Sequence, residues 1–218
     1  MSTPPLATAG LAWLISAAAF AVATAGTPGP NNAMLTSSGS LWGFRRTLPH
    51  MLGVSIGFPL MMIGVASGLG TLLQHHSSVL TMMRWLGAAY LLYLAWRIAT
   101  SEPEASRGDR EAGWAGPSRR PMSFLQAVLF QWINPKAWLV TISALATVAS
   151  VGGHPSTLRA LSLAAVFLAV TLPVTAFWTL VGVGVSRVFT TARALRRFNV
   201  IMAGLLVASL VSVLVGIG

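Results

Sequence analysis

Apolar residues run with little interruption from 6 to 26, 48 to 73, 78 to 99, 122 to 150, 157 to 186 and 195 to 217. Each run meets the roughly 20 residues that a helix needs to cross a hydrocarbon core about 30 Å thick. None shows the period-two alternation of a membrane strand. The pattern predicts an all-α polytopic membrane protein with six transmembrane helices. Two runs carry residues that a continuous helix avoids: "TPGPNN" at 27–32, after the first, and "QWINPKAW" at 131–138, inside the fourth.

Both interruptions read as built-in breaks. Pro135 suits the first position of a new helix, where its missing N–H costs nothing. Asn134 before it is a favoured N-cap, able to accept a bond from an orphan backbone N–H. From Lys136 to Ser150 a helix covers about 22 Å, and from Phe124 to Ile133 about 15 Å, so this break falls well inside the core. In the first half, Ala33 to Phe44 adds about 18 Å after the break. The first broken span therefore covers 6–44, and tilt, overhang or partial re-entry of its second piece absorbs the excess length.

Composition fits a membrane protein: 55% of the 218 residues are hydrophobic and 8% charged, against about 25% charged in soluble domains. The net charge of +10 would suggest nucleic acid, but its placement argues otherwise. With six spans, the connections after spans 1, 3 and 5 share one side and, with their flanks, hold Arg45, Arg46, Arg97, Arg107, Arg110, Arg119, Arg120, Arg187, Arg193, Arg196 and Arg197. Only Arg84 and Arg159 lie on the other side. The positive-inside rule then places both termini outside and the basic loops in the cytoplasm. These loops face anionic lipid headgroups rather than nucleic acid. The first run has no basic n-region and is expected to be a retained helix, not a cleaved signal.

The stretch 101–121 contains all four acids, Glu102, Glu104, Asp109 and Glu111, and reads as a cytoplasmic linker. It separates a first three-span unit (1–100; spans 6–44 broken, 48–73, 78–99) from a second (122–218; spans 122–150 broken, 157–186, 195–217). An odd number of spans per unit makes tandem copies inverted repeats. Each unit opens with a Pro/Asn break. Pro59, Gly68 and Gly70 in span 2 also match Pro173, Gly182 and Gly184 in span 5 in spacing.

Backbone freed from a helix inside the bilayer must pack in protein or line a polar cavity. Transporters aim half-helix N-termini at anionic substrate groups in this way. Asn31, Asn32, Asn134 and Lys136 are therefore candidate substrate-binding residues, with Pro28, Gly29, Pro30 and Pro135 making the breaks. The alternative is that the asparagines only cap helix ends. Lys136 opposes the dipole of the helix it begins, and no Asp or Glu lies in any span to balance it. Either a substrate carboxylate supplies the anion, or Lys136 bonds carbonyls of the preceding half-helix or snorkels. Without membrane acids, a substrate with a neutral side chain is favoured over a cationic one. If export is coupled to protons, Lys136, His50 or the substrate itself carries the charge.

Other features have plainer readings. Thr171, Thr175 and Thr179 share a face of span 5, where bonds to backbone carbonyls near Pro173 are expected. Gly53, Gly57, Gly64 and Gly68 form small-xxx-small pairs, for close packing or a dimer face. His75, His76 and His154 read as loop residues, so no metal site and no cofactor are implied. Cysteines are lacking, the spans lack paired acids, and no Ser/His pair is evident, so an enzyme is not expected. A passive channel or facilitator for small polar solutes is the closer alternative.

"TPGPNN", then "GFRRTLPHMLGVSIG", and "NPKAW" opening the second half together resemble the LysE/RhtB family of bacterial amino-acid exporters, over essentially the whole chain. The resemblance implies a six-span inner-membrane exporter of amino acids or their derivatives, often a homodimer and driven by an ion gradient. The motif positions carried over are Pro28, Gly29, Pro30, Asn31, Asn134, Pro135 and Lys136. Basic amino acids, homoserine, threonine, cysteine and lactones all occur as substrates in that family, so the resemblance leaves the substrate open.

Overall fold

The computed structural model describes residues 6–69, 77–100, 120–150, 157–188 and 191–215. All regular structure among them is helical: α1 (Leu6–Gly26), α2 (Pro30–Gly64, continued by a π-helical turn Val65–Leu69), α3 (Ser77–Ala99), α4 (Phe124–Ile133), α5 (Pro135–Ser150), α6 (Thr157–Val188) and α7 (Ala192–Val215). Of these, Pro30–Leu69 and Thr157–Val188 are long and apolar enough to cross a membrane. The linker acids and His75, His76 and His154 lie outside the described residues.

The second half starts on a capping box. The Ser123 hydroxyl accepts from Gln126 N at 3.3 Å, and the Gln126 side chain accepts from Ser123 N at 2.9 Å, which satisfies two donors that a helix start leaves over. The first half departs from expectation at its turn. Instead of a connection at 45–47 and a new span from 48, the helix bends at Gly43 alone and resumes at Phe44. Gly43 has φ 76° and ψ 174°, a left-handed φ that suits glycine. Ser38 Oγ and Thr47 Oγ1 come within 3.1 Å across the bend. A straight helix would separate residues nine apart by about 13.5 Å, so the two limbs of α2 lie side by side there.

The limb before Gly43 is the centre of the molecule, with every residue from Asn32 to Gly39 buried. The most extensive packing is between α2 and α6. Gly39 lies on the Thr179 backbone and Gly182 on the Thr36 backbone, each so close that a Cβ would strike the facing carbonyl oxygen. Gly53 and Gly57 lie against α4 at Phe124, Ala127 and Val128, and Gly64 against Trp132. These glycines thus serve packing within the chain. The matched glycines of the two halves are not equivalent, since Gly68 has φ 103° while Gly182 makes a helical crossing.

Two apolar clusters flank this centre. One joins α3 and α7 through Leu91, Leu94, Leu206 and Leu210 to Met34 and Phe130. The other joins α1, α2, α5 and α6 through Ala21, Phe58, Met61, Ala144 and Phe167. Buried hydroxyls of Thr36, Ser37, Ser38, Thr47, Ser55, Thr175 and Thr179 follow α2 and α6. Large apolar side chains face outward instead, such as Leu52, Ile56 and Leu60 in a row on α2 and Leu161, Leu168, Leu172 and Leu180 on α6. So many large apolar groups on the outside, with hydroxyls enclosed between helices, suit a lipid-facing surface.

Candidate functional site

The backbone is interrupted at both positions where the sequence breaks, and the two breaks meet. α1 ends at Gly26, and α2 starts on Pro30 after an extended Gly29. α4 ends at Ile133, Asn134 is extended (φ −81°, ψ 108°), and α5 starts on Pro135. Asn31 at one break and Gln131 beside the other form a reciprocal amide pair, with Nδ2 donating to Oε1 at 2.9 Å and Nε2 donating to Oδ1 at 3.3 Å. Gln131 is fully buried, and no sequence signal marked it out within its apolar run.

Side chains satisfy much of the freed backbone, as interior breaks demand. Asn32 Nδ2 donates to the carbonyls of Ala25 (2.7 Å) and Thr27 (2.8 Å), closing the end of α1. Asn134 Oδ1 accepts from Lys136 N at 3.1 Å, capping α5. Trp138 Nε1 donates to Trp132 O at 2.7 Å, which covers a carbonyl at the end of α4. Asn32 and Asn134 therefore seal helix ends, as the plainer reading expects, whereas Asn31 pairs with the Gln131 side chain instead.

Lys136 behaves differently from that reading. Its Nζ does not turn back onto α4. It crosses to the first break and donates to Thr27 O at 2.9 Å, with Pro28 O at 3.5 Å. The carbonyl end of α1, where helix dipoles carry partial negative charge, thus helps to hold the cation. The Lys136 stem lies over Gly29, where a Cβ would come within 2.8 Å of Cδ and 2.9 Å of Nζ. The two helix starts are unlike. α5 has the Asn134 cap, whereas α2 has no side-chain cap, leaving the amides of Asn31 and Asn32 outside the helical ladder.

A cavity opens at this junction, lined by Gly29, Asn31, Asn32, Asn134 and Lys136 together with Phe58, Phe167, Thr171 and Thr175. It is narrow: water-sized molecules can be centred in about 60 Å³ of it. Thr175 and Thr179 bond the carbonyls of Leu172 and Thr175, and Ser55 and Thr175 hydroxyls lie 3.2 Å apart. Buried Thr171 departs from the expected backbone bond, its hydroxyl having no hydrogen-bond partner among the described residues. The cavity thus combines a cation, uncapped helix amides and a hydroxyl within largely apolar walls, a combination suited to a small amphiphilic anion or zwitterion.

A helical bundle with an apolar exterior, and a cavity with a few polar groups at paired helix breaks, suits a membrane translocator. The chain belongs to the LysE type translocator family, whose model matches residues 22–216 and so includes both breaks. It is similar to proteins named cysteine/O-acetylserine efflux protein: 37% identical over 128 residues to that of Klebsiella pneumoniae subsp. pneumoniae, 35% to that of Salmonella typhimurium and 34% to that of Escherichia coli K12. Each match covers 59% of this chain and 61% of the relative, so the chain spans about three fifths of the length of the curated relatives it matches. No solved structure matches the chain.

Proposed function

We propose that this protein is a secondary transporter that exports amino acids or amino-acid derivatives with neutral side chains across the bacterial cytoplasmic membrane. The observation that carries this reading is the reach of Lys136 from the second half onto the first break, beside the uncapped start of α2. A substrate carboxylate accepts there from Lys136 Nζ and the amides of Asn31 and Asn32, while Thr171 offers a hydroxyl to the rest of the molecule. No Asp or Glu lines the cavity among the described residues, which disfavours a cationic side chain. The names of the relatives, which refer to cysteine and O-acetylserine, point the same way.

The reading extends to the frame. The bundle forms six spans in two inverted three-span repeats, 1–100 and 122–218, joined by a cytoplasmic linker at 101–121, with both termini outside. In the first broken span, the limb Pro30–Trp42 ends at the Gly43 bend, on the arginine-rich side. Lipid surrounds the bundle, and a homodimer is its proposed assembly.

Counterflow tests the reading against a passive channel lined by the same breaks. Proteoliposomes loaded with unlabelled O-acetylserine, cysteine or threonine should take up the labelled compound in a saturable overshoot, and lysine should give none. A linear, unsaturable flux without overshoot establishes a pore, and overshoot with lysine alone overturns the substrate class.

A further inference from the structure

A second, larger cavity lies on the arginine-rich side, between the Gly43 bend of α2, the end of α3 and the start of α4. Water-sized molecules can be centred in about 780 Å³ of it. Arg45, Arg46, Arg97 and Arg120 line it, and no Asp or Glu does so among the described residues. Arg45 and Arg46 stand in the first turn after the bend, where cations oppose the helix dipole, so their placement there is not explained by helix stability. His50, one turn further, also lines this cavity. It is 1% exposed, and neither Nδ1 nor Nε2 has a hydrogen-bond partner among the described residues.

A buried imidazole with two unused polar atoms costs free energy until something meets it. Arg97 is engaged with the Tyr93 ring, and the guanidiniums of Arg45, Arg46 and Arg120 on one space favour an oxyanion that takes paired N–H bonds. The transported zwitterion fits poorly, because its ammonium meets the same cations. A phosphate dianion or phosphodiester fits, with charge for the arginines and oxygens for the His50 ring N–H.

We propose that this vestibule is a binding site for a phosphate-bearing anion, held by Arg45 and Arg46 with His50 at its floor. The site is separate from the cavity at the breaks: on α2, His50 lines the vestibule and Val54 the inner cavity, a separation of about 6 Å along the helix. Two sources offer this chemistry, a soluble phosphate compound and the headgroup of an anionic phospholipid.

The test is binding by the full chain purified in maltoside micelles, which does not depend on transport. Equilibrium dialysis with labelled inorganic phosphate probes the soluble source. Native mass spectrometry from micelles doped with phosphatidylglycerol or phosphatidylcholine probes the lipid source. The expected result is retention of phosphate, or of phosphatidylglycerol over phosphatidylcholine, falling about tenfold in R45Q/R46Q, a loss of about 1.4 kcal/mol. The equally charge-depleted R193Q/R196Q should bind as the wild type does. Binding of phosphate alone assigns a soluble ligand, and selectivity for phosphatidylglycerol alone assigns a lipid. A wild-type protein that retains neither overturns the site without any variant, as does an equal loss in both double variants.

Discussion

Lys136→Met should abolish export while leaving folded protein in the membrane. The substitution keeps an unbranched apolar stem over Gly29 and removes only the ammonium. Charge-assisted hydrogen bonds contribute about 1.5–3 kcal/mol each, so losing the one to a substrate carboxylate lowers transport by roughly 10- to 150-fold. The Thr27 carbonyl keeps its bond from Asn32 at 2.8 Å, which limits the structural damage. Lys136→Arg is the informative companion. It keeps the charge but brings a wider head into a narrow cavity where Nζ is seated on the Thr27 carbonyl, so it should recover little. Initial counterflow rates, normalised to monodisperse protein, measure both. Wild-type rates for Lys136→Met would remove the residue from the site.

Gly182→Val should leave little folded protein. The Gly182 Cα faces the Thr36 carbonyl, with Ser40 N also within 3 Å of any added Cβ, and neither is a flexible side-chain end that can swing away. Close backbone approach of this kind is how membrane helices gain packing without a hydrophobic drive between them. Overpacking an interior commonly costs about 1–3 kcal/mol, and more where backbone must move. Gly182→Ala should lower the thermal midpoint in detergent, and Gly182→Val should shift most of the protein to aggregate on size exclusion. Gly184 is the matched control, in the same helix and with nothing near a Cβ. Gly184→Ala should match or slightly exceed the wild type, because alanine is the better helix former by about 1 kcal/mol. Equal behaviour of the 182 and 184 variants would contradict the α2–α6 crossing.

Much of this molecule was legible because its breaks follow from local chemistry. Proline removes a donor and asparagine caps, so a helix beginning at Pro135 is expected from "NPK" alone, while the one expected from Ala33 after "TPGPNN" begins at Pro30. The Ser123–Gln126 capping box is equally readable in the S-x-x-Q spacing. What was not legible is tertiary. Nothing local says that Gln131 pairs with Asn31, 100 residues away, or that Lys136 crosses to Thr27. The bend at Gly43 was hidden for another reason. Charged Arg45 and Arg46 suggested a loop there, but one left-handed glycine makes the turn. Gly53 and Gly57 were ambiguous because small-xxx-small spacing serves internal and intermolecular contacts alike. Among the threonines, Thr175 and Thr179 obey the local bonding rule, and Thr171, whose side chain lines the cavity, does not.

The central claim is that the meeting of the two breaks recognises a carboxylate. It is tested most directly by competition in counterflow, with the labelled substrate opposed by the free amino acid or by its carboxamide, which keeps the size and side chain but loses the anionic group. The free acid should compete fully and the carboxamide at least about tenfold more weakly, as expected for exchanging a charged acceptor for a neutral one. Equal inhibition by acid and carboxamide would contradict the account.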